Sequence, residues 1–137
     1  MPAQTFIAAS ATVILLLGLV HLLYTFASRK FSPRDPGLEA QLKLVSPIIS
    51  RETTMWKAWV GFNASHSMGA ILFGAIYGYL AIVHYTFLLQ SGFLVFLGGL
   101  LLAGYLVPGK LYWFSVPFRG IALASALYVT GFAIAWA

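Results

Sequence analysis

Four runs of apolar residues, at about 6–27, 55–83, 87–107 and 117–136, each come near the ~20 residues that an α-helix needs to cross the hydrocarbon core of a bilayer. No other feature constrains the fold so tightly, because lipid offers no partner for a backbone amide and spanning segments must satisfy their own. The runs predict an all-α membrane protein with four transmembrane helices in an antiparallel bundle, forming a single domain over all 137 residues. Composition agrees: 61% of the residues are hydrophobic and 8% are charged, against about 25% charged in soluble domains. The second and third runs meet around the uncharged stretch "HYTFLLQSG", which predicts a tight antiparallel hairpin. Pro108 and Gly109 in "VPGK" predict the end of the third span, and Ser115 with Pro117 in "SVPF" predict an N-cap and early-turn proline opening the fourth.

The net charge of +5 would fit a nucleic-acid binder if the basic residues were spread over a surface, but their positions exclude nucleic acid and point to a membrane. Arg29, Lys30, Arg34, Lys43, Arg51, Lys57, Lys110 and Arg119 all fall in or beside the first and third connections, which four spans place on one side. The acids Asp35, Glu39 and Glu52 lie there too. The positive-inside rule makes that side cytoplasmic, with both termini outside, and the expected location is a bacterial inner membrane. Trp56, Trp59, Tyr112 and Trp113 near this boundary, and Trp136 near the other, read as interfacial anchors. "MPAQTF" lacks the basic stretch of a signal peptide and the first run is of full span length, so the first helix is expected to be retained. The sequence ends at Ala137, directly after Trp136, so no outer tail is expected. Without cysteine there are no disulfides, thiolate metal sites or cysteine nucleophiles.

The first connection is the only sizeable polar stretch. Asp35 followed by Pro36 is a helix-start signal, Glu39 and Lys43 form an i,i+4 pair, and Leu38, Leu42, Val45 and Ile49 recur at helical spacing. A short amphipathic helix over about 36–46 is therefore expected at the interface, with its basic rim toward anionic lipid head groups and Pro47 ending or kinking it. A capped linker and a docking surface for a partner are both compatible with this pattern.

The second span carries "GFNASHSMG", in which two patterns overlap. Gly61, Ser65 and Gly69 form a small-xxx-small stripe, continued by Ala70, Gly74 and Gly78 on a neighbouring face, and close helix packing accounts for these residues. Asn63, His66 and Ser67 share another face and need polar partners. His21 lies seven residues before Ser28, Asn63 seven after Trp56, and His66 ten after Trp56. At 1.5 Å per residue, His21 and Asn63 lie ~10 Å and His66 ~15 Å from the boundary. The three can meet if the first two spans pack together. An intramembrane histidine is a functional-site hypothesis by default. Two such rings could ligate haem or a metal, relay protons or hydrogen-bond a quinone, or they could bond each other and neighbouring polar groups to fix helix register. No cofactor and no metal are predicted; haem or quinone remains the alternative. His84, in "AIVHYTF", reads as an interfacial residue at the outer turn. No Ser-His-Asp set, carboxylate pair, phosphate loop or nucleotide fingerprint is visible.

The order "GLVHLLYTF", a charged connection, "TTMWKAWVGFN" with "SH" and "MG" following, and later "YWFSVP" resembles a family of small, largely uncharacterised bacterial four-helix membrane proteins, loosely DoxX-like. The likeness rests on His21, Trp56, Gly61-Phe62-Asn63 and Pro117. It implies the four-helix architecture and brings no activity or catalytic residues. With short connections, abundant small-residue stripes and no catalytic set, the expected function is a non-catalytic accessory or stabilising subunit of a larger membrane complex. A redox or quinone- or haem-interacting protein using His21 and His66 is the alternative.

Overall fold

Helices that must bury no face of their own can be apolar all round, and the long helices of this chain are. A computed structural model describes residues 2–137 as α1 (Pro2–Ala27), α2 (Pro36–Leu44), α3 (Met55–Val83), α4 (Tyr85–Gln90), α5 (Gly92–Tyr112) and α6 (Ser115–Trp136), with no strand among them. Four of these, α1, α3, α5 and α6, are long and apolar enough to cross a membrane. The chain is an all-helical, four-span membrane protein.

The second span runs over the expected residues, but other boundaries shift, beginning with α1, which is helical from Pro2 rather than from about 6. Residues 85–90 form the separate helix α4, and Ser91 then caps α5 by accepting from the Leu94 amide at 3.3 Å, so the third span starts later than 87. It also continues through Pro108 to Tyr112. A proline removes one amide and crowds the carbonyl four residues back; here that residue is Gly104, above which there is open space. Membrane helices accommodate such a break. At α6 the N-cap is Phe114, with no side-chain bond, rather than Ser115. Pro117 falls in the first turn, where an amide would have no helical acceptor.

In α2, Asp35 Oδ1 accepts from the Gly37 amide at 2.8 Å, as the Asp-Pro signal implies. The helix stops at Leu44, two residues short of expectation, because Val45 is already extended with its amide on the Gln41 carbonyl. Pro47 disfavours helical geometry at the residue before it and so favours this early exit. The Met55 amide then donates to the Val45 carbonyl at 2.8 Å, tying the start of α3 to the end of α2.

The chain divides into two compact units: one comprises the sequence up to Leu17 with Ala70–Ala137, the other Gly18–Gly69. Segments of all four long helices contribute to the first, whose core includes Ile7, Ile14, Phe73, Tyr77, Tyr128 and Phe132. Glycines set its closest approaches. A Cβ on Gly74 would lie 2.7 Å from the Ala11 carbonyl oxygen of α1, and one on Gly131 2.6 Å from Ile7 Cγ1. Polar groups are satisfied across helices: Ser10 Oγ donates to the Ala124 carbonyl at 2.7 Å and Gln4 Nε2 to that of Ala81 at 2.9 Å. The Tyr77 and Tyr128 hydroxyls donate to the Leu94 and Val95 carbonyls of α5 at 2.6 and 2.9 Å.

Candidate functional site: the His21, Asn63 and His66 cluster

The second unit holds the intramembrane histidines. Near the end of α1, hydroxyls fold back onto their own helix: Thr25 Oγ1 donates to the His21 carbonyl at 2.8 Å and Ser28 Oγ to that of Tyr24 at 2.9 Å. On α3, Ser67 Oγ donates to the Asn63 carbonyl at 2.7 Å and Ser65 Oγ to that of Phe62 at 3.1 Å. Such back-bonding lets a hydroxyl sit in an apolar helix without an external partner. Ser67 is buried but belongs to its own helix, and the interhelical work falls to Asn63 and the two rings.

Asn63 is the pivot. Its Nδ2 donates to the Trp59 carbonyl one turn earlier, at 2.9 Å, and its Oδ1 lies 3.0 Å from His21 Nε2. A carbonyl oxygen can only accept, so the amide nitrogen must face Trp59 and the amide oxygen His21. His21 Nε2 is consequently the donor of that bond. The His66 ring sits edge-on to His21 with centroids 5.4 Å apart, and Phe62 lies nearly parallel to His66 at 6.0 Å. From the connecting segment, Phe31 reaches over His21 at 4.5 Å, and Trp59 Nε1 holds it there by donating to the Phe31 carbonyl at 3.0 Å. Beside the cluster a cleft of about 30 Å³, bordered by Thr25, Ser28, Ser32, Trp56 and Asn63 among others, has the space of roughly one water.

No family model, no curated protein and no solved structure matches this chain. What the cluster can do rests on its own geometry. With the two rings in edge contact there is no gap between them for a macrocycle, so axial haem ligation by both would require them to part. Among the described residues no three metal-ligating side chains come together.

The expected packing residues divide sharply. Ala70 and Gly74 are buried, and a Cβ on Gly78 would meet Ala11 Cβ at 3.7 Å. Gly61, Ser65 and Gly69 instead face outward, and nothing lies within 4 Å of where a Gly61 Cβ would be. Close packing inside the chain thus accounts for one stripe and not the other.

Several basic interface residues lie over rings: Lys30 over Tyr24 at 4.0 Å, Lys43 over Trp56 at 5.2 Å and Lys110 over Phe118 at 5.2 Å. Arg34, Arg51, Lys57 and Arg119 are exposed, as is Trp136, while Trp113 is half-buried. Glu39 links Lys43 at 2.7 Å and Arg29 at 3.3 Å. The hydrogen bond from Lys43, and the charges of Lys43 and Arg29, hold its carboxyl below the ordinary value against the opposing effect of burial. The sheltered side of α2 is therefore the Glu39 side, and Leu38, Leu44, Val45, Ile48 and Ile49 are exposed.

Phe31, Trp59 and Thr25 were not among the residues expected in a site with the histidines; Trp59 was expected only as an anchor. One signal for Phe31 was present: it is the lone aromatic residue in the charged stretch "SRKFSPRD".

Proposed function

We propose that this integral membrane protein is a non-catalytic accessory or stabilising subunit that offers the Gly61, Ser65 and Gly69 stripe of α3 to a helix of a partner membrane protein. The observation that carries the reading is that this stripe is turned outward with open space above Gly61. Small residues let membrane helices approach closely enough for dispersion and backbone contacts to drive association. The basic connections lie on the cytoplasmic face of a bacterial inner membrane with both termini opposite, in keeping with the positive-inside rule. There the exposed apolar side chains of α2 enter the interface while Arg29, Lys30 and Arg34 meet anionic head groups, each contributing about 1 kcal/mol near a charged surface.

Co-purification from native membranes tests the reading. A partner should be retained by the wild type and lost in Gly61→Leu with Ser65→Leu; the first enters open space and the second gives up only the Ser65 bond to the Phe62 carbonyl of its own helix. A wild-type chain that runs alone as a monomer would sink it. The placement of two intramembrane histidines side by side supports a second reading, a redox protein that interacts with quinone, or with haem once the rings part. An absorbance spectrum of the pure protein and quinone binding in His66→Ala separate the two.

A further inference from the structure

We infer that the cleft in the second unit is a site for one anionic glycerophospholipid, which places a phosphate oxygen among the side chains of Ser32, Trp56 and Asn63. The site rests on one part of the reading above, that the basic connections lie at a membrane surface, and needs no partner helix. Thr25, Ser28, Ser32, Trp56 and Asn63 border the cleft, whose space of about 30 Å³ admits one oxygen-sized group and leaves the rest of a head group outside. Its lining has a surplus of donors. The Ser32 hydroxyl and the Trp56 indole N–H have no hydrogen-bond partner in the chain, and the Asn63 amide commits one of its two protons, to the Trp59 carbonyl. No buried side-chain nitrogen or oxygen among the described residues lacks a partner, so the Ser32 and Trp56 groups keep exposed surface. Thr25 and Ser28 commit their hydroxyl protons to the His21 and Tyr24 carbonyls, which turns those carbonyls away from repelling an anion.

Charge selects the class of acceptor. Arg29, Lys30, Arg34 and Lys57 lie within two residues of the lining along the chain, and no acid does. Two residues of chain span at most ~7 Å, inside the ~10 Å over which charges act at 0.1 M salt. Lys30 lies over Tyr24 and Arg29 bonds Glu39, whereas Arg34 and Lys57 are exposed and engage no side chain. A phosphodiester carries one negative charge on oxygens that only accept, which matches both the donors and the cations. The same cations repel a choline group, so an anionic lipid is preferred over a zwitterionic one. Trp56 and Trp59 are of the residue type that settles at head-group level. Leu23 and Phe26, exposed on this end of α1, give acyl chains an apolar surface that inorganic phosphate would not use.

The test is native mass spectrometry of the full-length chain, released from micelles doped with equal amounts of phosphatidylglycerol and phosphatidylcholine, and separately from micelles with inorganic phosphate. The wild type should retain one phosphatidylglycerol in preference to phosphatidylcholine. Ser32→Ala and Trp56→Phe each remove one uncommitted donor and no hydrogen bond of the chain, and the second keeps a ring under Lys43. Each should weaken retention by about tenfold or more, the effect of one hydrogen bond to a charged acceptor. Arg119→Gln, exposed beside the other basic connection, should change nothing. Four results overturn the proposal: no lipid retained, both lipids retained equally, retention unchanged in either cleft variant, or the same weakening in Arg119→Gln, which would mean surface charge alone. Inorganic phosphate held as well as the lipid would also overturn it, as a site for a free anion. Loss of the partner in co-purification leaves the lipid result untouched, so the two readings fail separately.

Discussion

Gly98 and Gly99 are adjacent on α5, yet substituting each with alanine should have opposite results. A Cβ at Gly98 would fall on the Tyr128 hydroxyl, 2.7 Å from Tyr77 Cε1 and 2.8 Å from Tyr128 Cζ. Both hydroxyls use the bare surface there to reach the Leu94 and Val95 carbonyls, which have a second lone pair beyond the helical bond. Gly98→Ala must displace both rings. Overpacking costs about 1–3 kcal/mol, and the two interhelical hydrogen bonds are worth about 0.6 kcal/mol each. Alanine's better helix propensity returns up to about 1 kcal/mol. The net loss should be about 1–3 kcal/mol, a shift of roughly five- to 150-fold in the unfolding equilibrium, read by reversible unfolding in mixed micelles. At Gly99 nothing lies within 4 Å, so Gly99→Ala should be neutral or stabilising. Because the nearest clash is with the hydroxyl, Tyr128→Phe should reduce the cost of Gly98→Ala by at least about 0.5 kcal/mol in a double-mutant cycle. Equal stability of the two alanine variants would refute the account of how α5 is held.

Gly74→Ala should destabilise by about 1–3 kcal/mol in the same assay, because its Cβ meets backbone of α1 that cannot rotate away. Ser10→Ala should cost about 0.6 kcal/mol, the average for an interhelical bond in a membrane protein. Asp35→Ala removes the side-chain cap of α2 and should cost that helix about 1 kcal/mol, visible as faster amide exchange over residues 36–44 alone. The Glu39 carboxyl is held below its ordinary value of 4.5, so its contribution is complete above that pH and is lost as the pH falls through the depressed value. Amide exchange in α2 should accelerate over that acid range in the wild type, and in Glu39→Gln the acceleration should disappear.

The four spans and the capped α2 were legible because each rests on a strong local rule: a stretch of lipid-compatible length, or an Asp-Pro start with its i,i+4 pair. The boundaries at Pro108 and Ser115 were not legible. Their signals come from soluble helices, in which an unsatisfied carbonyl or a missing cap meets water, and a membrane helix continues until the apolar stretch ends. Tyr77, Tyr128 and Gly98 escaped notice because a tyrosine in an apolar run looks like any aromatic residue until the carbonyl it reaches is known.

The small residues and the polar residues of α3 differ in what they disclose. Gly61, Ser65 and Gly69 obey the same spacing rule as Ala70, Gly74 and Gly78, yet the first set is exposed and the second is buried or packed on α1. A glycine carries no record of its neighbour, and in a helix that is apolar all round no amphipathic contrast shows which side is inside. A polar group in lipid is different, because it must find a partner and its depth limits where that partner can be. Equal counts from the boundary placed His21 and Asn63 level, and their side chains meet at 3.0 Å. Depth alone could not set the direction of that bond. It follows from Trp59, whose carbonyl, as an obligate acceptor, orders the Asn63 amide and through it the proton on His21.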